Sequence, residues 1–250
     1  MIRGVIFDLG WTLMTYNGDW KQVSEMAYKN TADFLNANGF RVGEDFPAQF
    51  HAARERGWKM ADETGVEQTV EDALREILGD LGYVALDGIA PRAVEIFFAE
   101  HEKRWVPYDD ALATLQELAR RGLKIGLISN ADDIGLVHRQ VKRFGFATYL
   151  WPVWSSAEAP RWRKPDPRIF HRVSEAWQIA PRNIVMVGDA PAYDVLGGHR
   201  AGMRAILIDR NEGGWWQKIP DALANDPDIH ADAVVKSLAE IPSVIERWAD

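Results

Sequence analysis

Four short stretches of this chain carry side chains suited to work together on phosphorus. The apolar run VIF leads into Asp8. LKIGLIS ends in Ser129, followed by Asn130. RKPDP carries Lys164, and NIVMVG leads into Asp189 with Asp194 shortly beyond. A carboxylate can attack phosphorus and form an aspartyl-phosphate, which splits one hard displacement into two easier steps. A divalent cation would screen the repulsion between that carboxylate and a phosphate. Asp8, Asp189 and Asp194 supply hard oxygen ligands of the kind Mg²⁺ takes, few in number and supplemented by water. Lys164 and the Ser129 hydroxyl would neutralise and hydrogen-bond the equatorial oxygens, helped by backbone N–H groups at helix N-termini. Taken singly, each residue has an ordinary explanation as a cap, a turn or a solvated charge. Their order, each at or just past a strand end, is what links them.

The elements needed to gather these residues are legible in the apolar patterning. Residues 2–8 read as a buried strand. Residues 17–102 are helical throughout, with no convincing strand. Val70, Ala73, Leu74, Ile77 and Leu78 repeat at helical spacing. Asn38-Gly39 and Gly79 read as helix stops. From Tyr108 the rhythm alternates. Helices are expected over 109–121, 134–144, 166–178 and 193–201, and from the last strand to Trp248. Strands are expected in LKIGLISN, YLWPVWSS, NIVMVGD, RAILID and ADAVVKSL. Such alternation predicts a parallel sheet with helices on both faces, whose ligands bind beyond the strands' carboxyl ends. The helical stretch reads as a domain inserted into one loop. The expected boundaries are 1–15 and 105–250 for the α/β core and 16–104 for the insert.

Composition narrows the function classes. The 250 residues are 47% hydrophobic and 26% charged, an ordinary globular balance. The chain has no Cys, which excludes thiol catalysis and thiolate metal sites. Its six His form no close ligand pair. A formal charge of −8, without a long basic run, argues against nucleic acid and anionic membrane as partners. No apolar stretch approaches the roughly 20 residues that span a bilayer, and no targeting signal is evident, so a cytoplasmic protein is expected. The partner expected is a small phosphorylated metabolite, and the protein a monomer or homodimer.

The order of motifs resembles the haloacid dehalogenase (HAD) superfamily of hydrolases over nearly the whole chain. FDLGWTLM resembles its first motif, LISN the second, RKPDPRIF the third and VMVGDAPAYDVLGGHRAGM the fourth. The resemblance implies a Rossmann-like core with a mobile helical cap of the C1 type. It implies Asp8 as nucleophile and Lys164 as its catalytic partner, with Thr12, Ser129, Asn130 and Lys164 on the substrate. It also implies Mg²⁺ held by Asp8, Asp189, Asp194 and the Gly10 backbone carbonyl.

One departure bears on mechanism. Most phosphatases of this family carry a second Asp where this chain has Gly10, to protonate the leaving group and then activate water. A positioned acid–base is worth roughly 10²–10⁴ in rate, or about 3–5 kcal/mol. Asp19, Asp132, Asp133 and Tyr16 lie near enough in sequence to be weighed as substitutes, each against a plainer reading as a cap or solvated polar group. The 2-haloacid dehalogenases also lack this Asp but need no metal, so Asp189 and Asp194 argue against dehalogenation. Two alternatives stay open: a phosphonatase-like C–P hydrolase using a cap lysine, for which Lys59 is the candidate, and a degenerate member that binds a phosphorylated ligand or partner without turnover. Trp11, bulky beside the nucleophile, is expected to wall the site or pack into the cap hinge.

Overall fold

The computed structural model describes residues 1–211 and 214–248. Its strands are β1 (Gly4–Phe7), β2 (Met14–Tyr16), β3 (Trp105–Pro107), β4 (Lys124–Ser129), β5 (Val153–Ser155), β6 (Ile184–Gly188), β7 (Arg204–Ile208) and β8 (Ala233–Val235). Its α-helices are α1 (Trp20–Ala37), α2 (Phe46–Thr64), α3 (Val70–Asp80), α4 (Ala90–Arg104), α5 (Ala111–Arg120), α6 (Ile134–Arg143), α7 (Pro167–Trp177), α8 (Leu196–Arg200) and α9 (Ile241–Arg247). No described helix is long and apolar enough to cross a membrane.

Six strands form one wholly parallel sheet in the order β5-β4-β1-β6-β7-β8. The apolar run of β1 lies between β4 and β6, with Phe7 opposite Leu127 on one side and Val187 on the other. Successive side chains alternate between faces. Val5, Phe7, Leu127 and Val187 join the cluster under α5, α6 and α9, while Ile6, Ile128 and Met186 join the one under α7. On the second face the Trp177 indole lies close against the sheet. A Cβ at Gly4 would fall 2.5 Å from that ring, and one at Gly126 2.8 Å. Glycine in these two strands is therefore a packing requirement.

Helices α1 to α4 lie between β2 and β3 and bury an apolar cluster of their own, including Leu35, Phe46, Phe50, Leu74, Leu78 and Phe97. The expected helical stripe from Val70 to Leu78 is buried as a whole. Its start is fixed by a capping box, Thr69 with Asp72.

Two expectations need correction, and one feature was not foreseen. Just outside the helical stretch 17–102 the chain forms a short two-stranded ribbon. β2 and β3 pair antiparallel, and Tyr16 sits opposite Trp105 across the expected boundaries. Three-residue strands carry too little alternation to register as a period. Helix α3 runs through Gly79 to Asp80, and Gly82, at φ +87°, makes the turn. The helix expected from Tyr193 instead begins with a wide π turn at Pro191–Val195 that runs into α8. Turns of this kind often mark functional sites.

Candidate active site

Ser129, Asp8 and Asp189 stand at the carboxyl ends of β4, β1 and β6, three neighbouring strands, and so share one rim of the sheet. The Asp8 N–H donates to the Val187 carbonyl at 2.9 Å, which carries the ladder one residue past β1 and fixes where its side chain begins. Lys164 arrives from the loop before α7. Its Nζ donates to Asp8 Oδ1 at 2.5 Å and to Asp194 Oδ1 at 2.6 Å. The π turn sets Asp194, whose second oxygen accepts the Ala190 N–H at 3.0 Å. Gly188 is what admits that carboxylate, since a Cβ there would lie 2.2 Å from it.

Asp8, Asp189, Asp194 and Lys164 are all buried. The three acids bring carboxylate oxygens within 4.8 Å of one another, and among the described residues a single ammonium bridges two of them. Burial pushes Asp8 up to about 6; Lys164 opposes the rise and Asp194 adds to it. Burial, with Asp8 and Asp194 alongside, pushes Asp189 up to about 8. Burial works against the charge on Lys164, but Asp194 and Asp8 outweigh it and raise its pKa. A pocket of hard oxygen donors with uncompensated negative charge suits a divalent cation of the Mg²⁺ type.

The surrounding residues divide by what they touch. Among the described residues the Ser129 hydroxyl has no protein partner, which leaves it available to a ligand. Thr12, expected on the substrate, is fully buried, and its hydroxyl donates to Asp189 Oδ1 at 3.4 Å. Asn130, expected there too, uses its amide on Lys164: Oδ1 accepts the Lys164 N–H and Nδ2 donates to the Lys164 carbonyl, both at 2.9 Å. These two residues brace the acid and the lysine. The sequence reading missed Trp216, whose Nε1–H donates to Asp189 Oδ2 at 2.5 Å. Nothing in GGWWQ distinguishes it from the chain's other tryptophans.

A model of the haloacid dehalogenase-like hydrolases matches residues 2–202. The chain belongs to this family. Among the family's named members, a phosphoserine phosphatase of Thermus thermophilus is 32% identical over 201 residues, spanning 76% of this chain and 74% of the relative. An (S)-2-haloacid dehalogenase of Pseudomonas fluorescens is 25% identical over 249 residues, 100% of this chain and 99% of the relative. The crystal structure of a 2-haloacid dehalogenase from Pseudomonas syringae pv. tomato matches with a TM-score of 0.71 and 26% identity, covering 99% of this chain and all of the other.

Within this haloacid dehalogenase-like chain, Gly10 is not dictated by crowding. A Cβ there would meet only the Trp105 ring, at an ordinary 3.5 Å. Trp11 adopts the left-handed conformation, φ +53°, uncommon for a bulky residue. Its indole stacks on Trp216 at 3.9 Å between centroids and meets the edge of Trp105 at 5.0 Å. The Trp105 ring of this aromatic cluster is thus what a side chain at position 10 would meet first. The substitutes weighed for that Asp are engaged elsewhere. Asp19 caps α1 through Gln22 N–H, and Asp133 caps α6 through Leu136 N–H. Asp132 pairs with Arg54 at 2.7 Å, and the Tyr16 hydroxyl lies 3.0 Å from His101 Nδ1. Lys59 is exposed on α2, 4.0 Å from Glu63.

Proposed function

We propose that this hydrolase is a Mg²⁺-dependent phosphatase of small phosphorylated metabolites that works through an aspartyl-phosphate on Asp8. The observation that carries this reading is the Asp8–Asp189–Asp194 cluster, with oxygens within 4.8 Å and Lys164 bound across it. The 32% identity to a protein named phosphoserine phosphatase supports a phosphate monoester as substrate. Asp8, Asp189, Asp194 and the Gly10 carbonyl would hold Mg²⁺, which supplies charge screening of the phosphoryl group and polarisation of its oxygens.

The protein's own groups do the rest. Lys164 holds Asp8 ionised and aimed, and with the Ser129 hydroxyl it receives the phosphoryl oxygens. An Asp8 oxygen bonds to phosphorus as the bond to the leaving oxygen breaks. Water then attacks the acyl phosphate, releasing phosphate and restoring the carboxylate. Gly10 offers no proton to the leaving oxygen, so this site favours leaving groups that need none, acyl phosphates above all, or takes the proton from water. The helical insert acts as a cap that closes over the substrate, excludes bulk water and keeps large substrates out.

A second reading has a specific observation behind it: the relative matched along the whole chain is named a 2-haloacid dehalogenase. In that chemistry Asp8 would displace halide from carbon, a step that does not use the metal-type acids Asp189 and Asp194. A panel of phosphomonoesters, acyl phosphates, phosphonoacetaldehyde and 2-haloacids, with and without Mg²⁺, separates the readings. Mg²⁺-dependent phosphate release from a monoester or acyl phosphate supports the first. Metal-independent halide release replaces it with the second, a Lys59 adduct trapped by borohydride with the phosphono-aldehyde makes the protein a C–P hydrolase, and no release from any substrate by folded protein leaves a binding protein.

A further inference from the structure

Glu67 is a buried carboxylate that none of the chemistry above uses. It lies in the short connection between α2 and α3, within the helical insert, yet apart from the adjacent Gln68 N–H its partners belong to the sheet domain. Only 2% of it is exposed. Its Oε2 accepts the Ser156 hydroxyl at 2.5 Å, and its Oε1 faces Arg163 Nη1 at 3.5 Å. Its N–H donates to the Arg161 carbonyl at 2.8 Å. Around it, Val66 bridges to Trp162, the Arg163 N–H reaches the Gly65 carbonyl, and the Val70 N–H reaches the Asp132 carbonyl. Burying an ionisable group is costly without compensating bonds. Burial does raise the Glu67 pKa, against the pull of Arg163 and Ser156. A carboxylate placed here, with this many partners across the seam, is a docking peg.

The partners of the peg lead into the candidate active site by two routes. Ser156 Oγ accepts the Ala131 N–H at 2.9 Å, and the Ser156 N–H donates to the Ser129 carbonyl at 2.9 Å. Arg163 directly precedes Lys164 in the chain, and Arg161 stands two residues before Arg163. Asn130 then joins the routes, because it holds the Lys164 backbone from both sides. The circuit Glu67–Ser156–Ala131–Asn130–Lys164–Arg163 is therefore closed, and one of its members comes from the helical insert.

We propose that Glu67 is a positioning residue: by seating the α2–α3 connection on the sheet domain it sets Lys164 and Ser129 in their working places, so that the position of the insert controls the readiness of the site. This rests on the reading of Lys164 and Ser129 as phosphate-handling groups. Coupling of this sort acts through packed and hydrogen-bonded contacts with discrete arrangements. A loosened Lys164 loses more interaction with the transition state than with bound substrate, so the effect falls on kcat.

The test compares Glu67→Ala and Glu67→Gln. Glu67→Gln keeps an acceptor for Ser156, whereas Glu67→Ala removes every side-chain contact. Two readouts are taken on the whole chain: kcat and KM on the best substrate of the panel, and backbone hydrogen exchange. The proposal expects Glu67→Ala to lower kcat about tenfold or more with KM within about threefold, as for a group acting in the transition state, and Glu67→Gln to restore most of it. It also expects faster exchange at Arg163, Val70 and Ala131 with strand β1 and β4 amides unchanged. It is overturned if Glu67→Ala matches the parent in both readouts, or if exchange rises evenly across the chain, which is general destabilisation. A parent protein inactive on the whole panel overturns the phosphatase reading alone; the exchange pattern still decides this proposal.

Discussion

Asn130 grips Lys164 by the backbone, one amide end on the N–H and the other on the carbonyl, both at 2.9 Å. The residue at the end of β4 thereby fixes a lysine 34 positions later in the chain. Each such bond contributes about 0.5–1.5 kcal/mol to stability, but a displaced Lys164 costs more in rate than in folding, because a misplacement near 1 Å costs roughly 10²-fold. Asn130→Ala is expected to lower kcat by about 10- to 100-fold with a small change in melting temperature. Steady-state kinetics beside a thermal melt checks this. A large loss of stability with unchanged kcat per folded molecule would show a merely structural bond.

The Trp216 indole donates to one oxygen of Asp189 and the Thr12 hydroxyl to the other. Donors of this kind orient a metal-binding carboxylate, and removing one typically costs 10- to 100-fold in affinity. Trp216→Phe keeps the stack with Trp11 and removes the N–H. We expect Mg²⁺ binding by calorimetry to weaken by about tenfold or more. An unchanged affinity would mean that the indole only covers the site.

His101, buried between Tyr16 and Trp20 on the insert side, supplies a pH signature of stability. Burial, with Arg54 adding to it, lowers its pKa from 6.5 to about 4. Above pH 6.5 the imidazole is neutral in folded and unfolded chain alike, so it contributes no pH dependence. As pH falls from 6.5 towards 4 the unfolded chain takes up a proton that the folded one refuses. Stability drops across this window by about 1.4 kcal/mol per unit, about 3 kcal/mol in all. Denaturant titrations of the parent and His101→Gln between pH 7 and 4 measure it; the variant should lose most of that slope. Equal slopes would place the acid sensitivity elsewhere.

Gly10 can accept a side chain without a clash, since its Cβ would sit 3.5 Å from the Trp105 ring. Gly10→Asp is therefore expected to fold and to raise turnover on ordinary monoesters, within the roughly 10²–10⁴ that a positioned acid–base supplies. Acyl phosphates should gain much less, since their leaving group needs no proton. Equal rates on both classes before and after the change would show that another group already handles the proton, or that the aromatic cluster holds the new carboxylate away from the substrate.

The strand ends were the legible part of this molecule. VIF before Asp8, LIS ending in Ser129 and MVG before Asp189 are buried runs with one chemical residue at the end, and the sheet sets them side by side. The helices between β2 and β3 were legible from their apolar spacing: α3 buries its apolar stripe whole. The β2–β3 ribbon was not, because three residues give no period. The supporting contacts were not legible either: Thr12 and Asn130 were picked out for the substrate, not for Asp189 and Lys164. Asn130, Thr12, Trp216 and Glu67 act through partners far away in sequence, from 27 positions for Trp216 to 177 for Thr12, and no local pattern records a partner at that distance. Gly10 was conspicuous only against the family pattern, and its neighbours Trp11, Trp105 and Trp216 became a cluster only once the chain had folded.

The central claim is that Asp8 is the nucleophile of a Mg²⁺-dependent phosphatase. Its most direct test is the rate of phosphate release by Asp8→Asn beside the parent, both with Mg²⁺ and both shown to be folded. Asparagine keeps the shape and an oxygen for Lys164 but cannot form the acyl phosphate. The account predicts that release falls on the order of 10³-fold or more. Release by Asp8→Asn at the parent rate would contradict it.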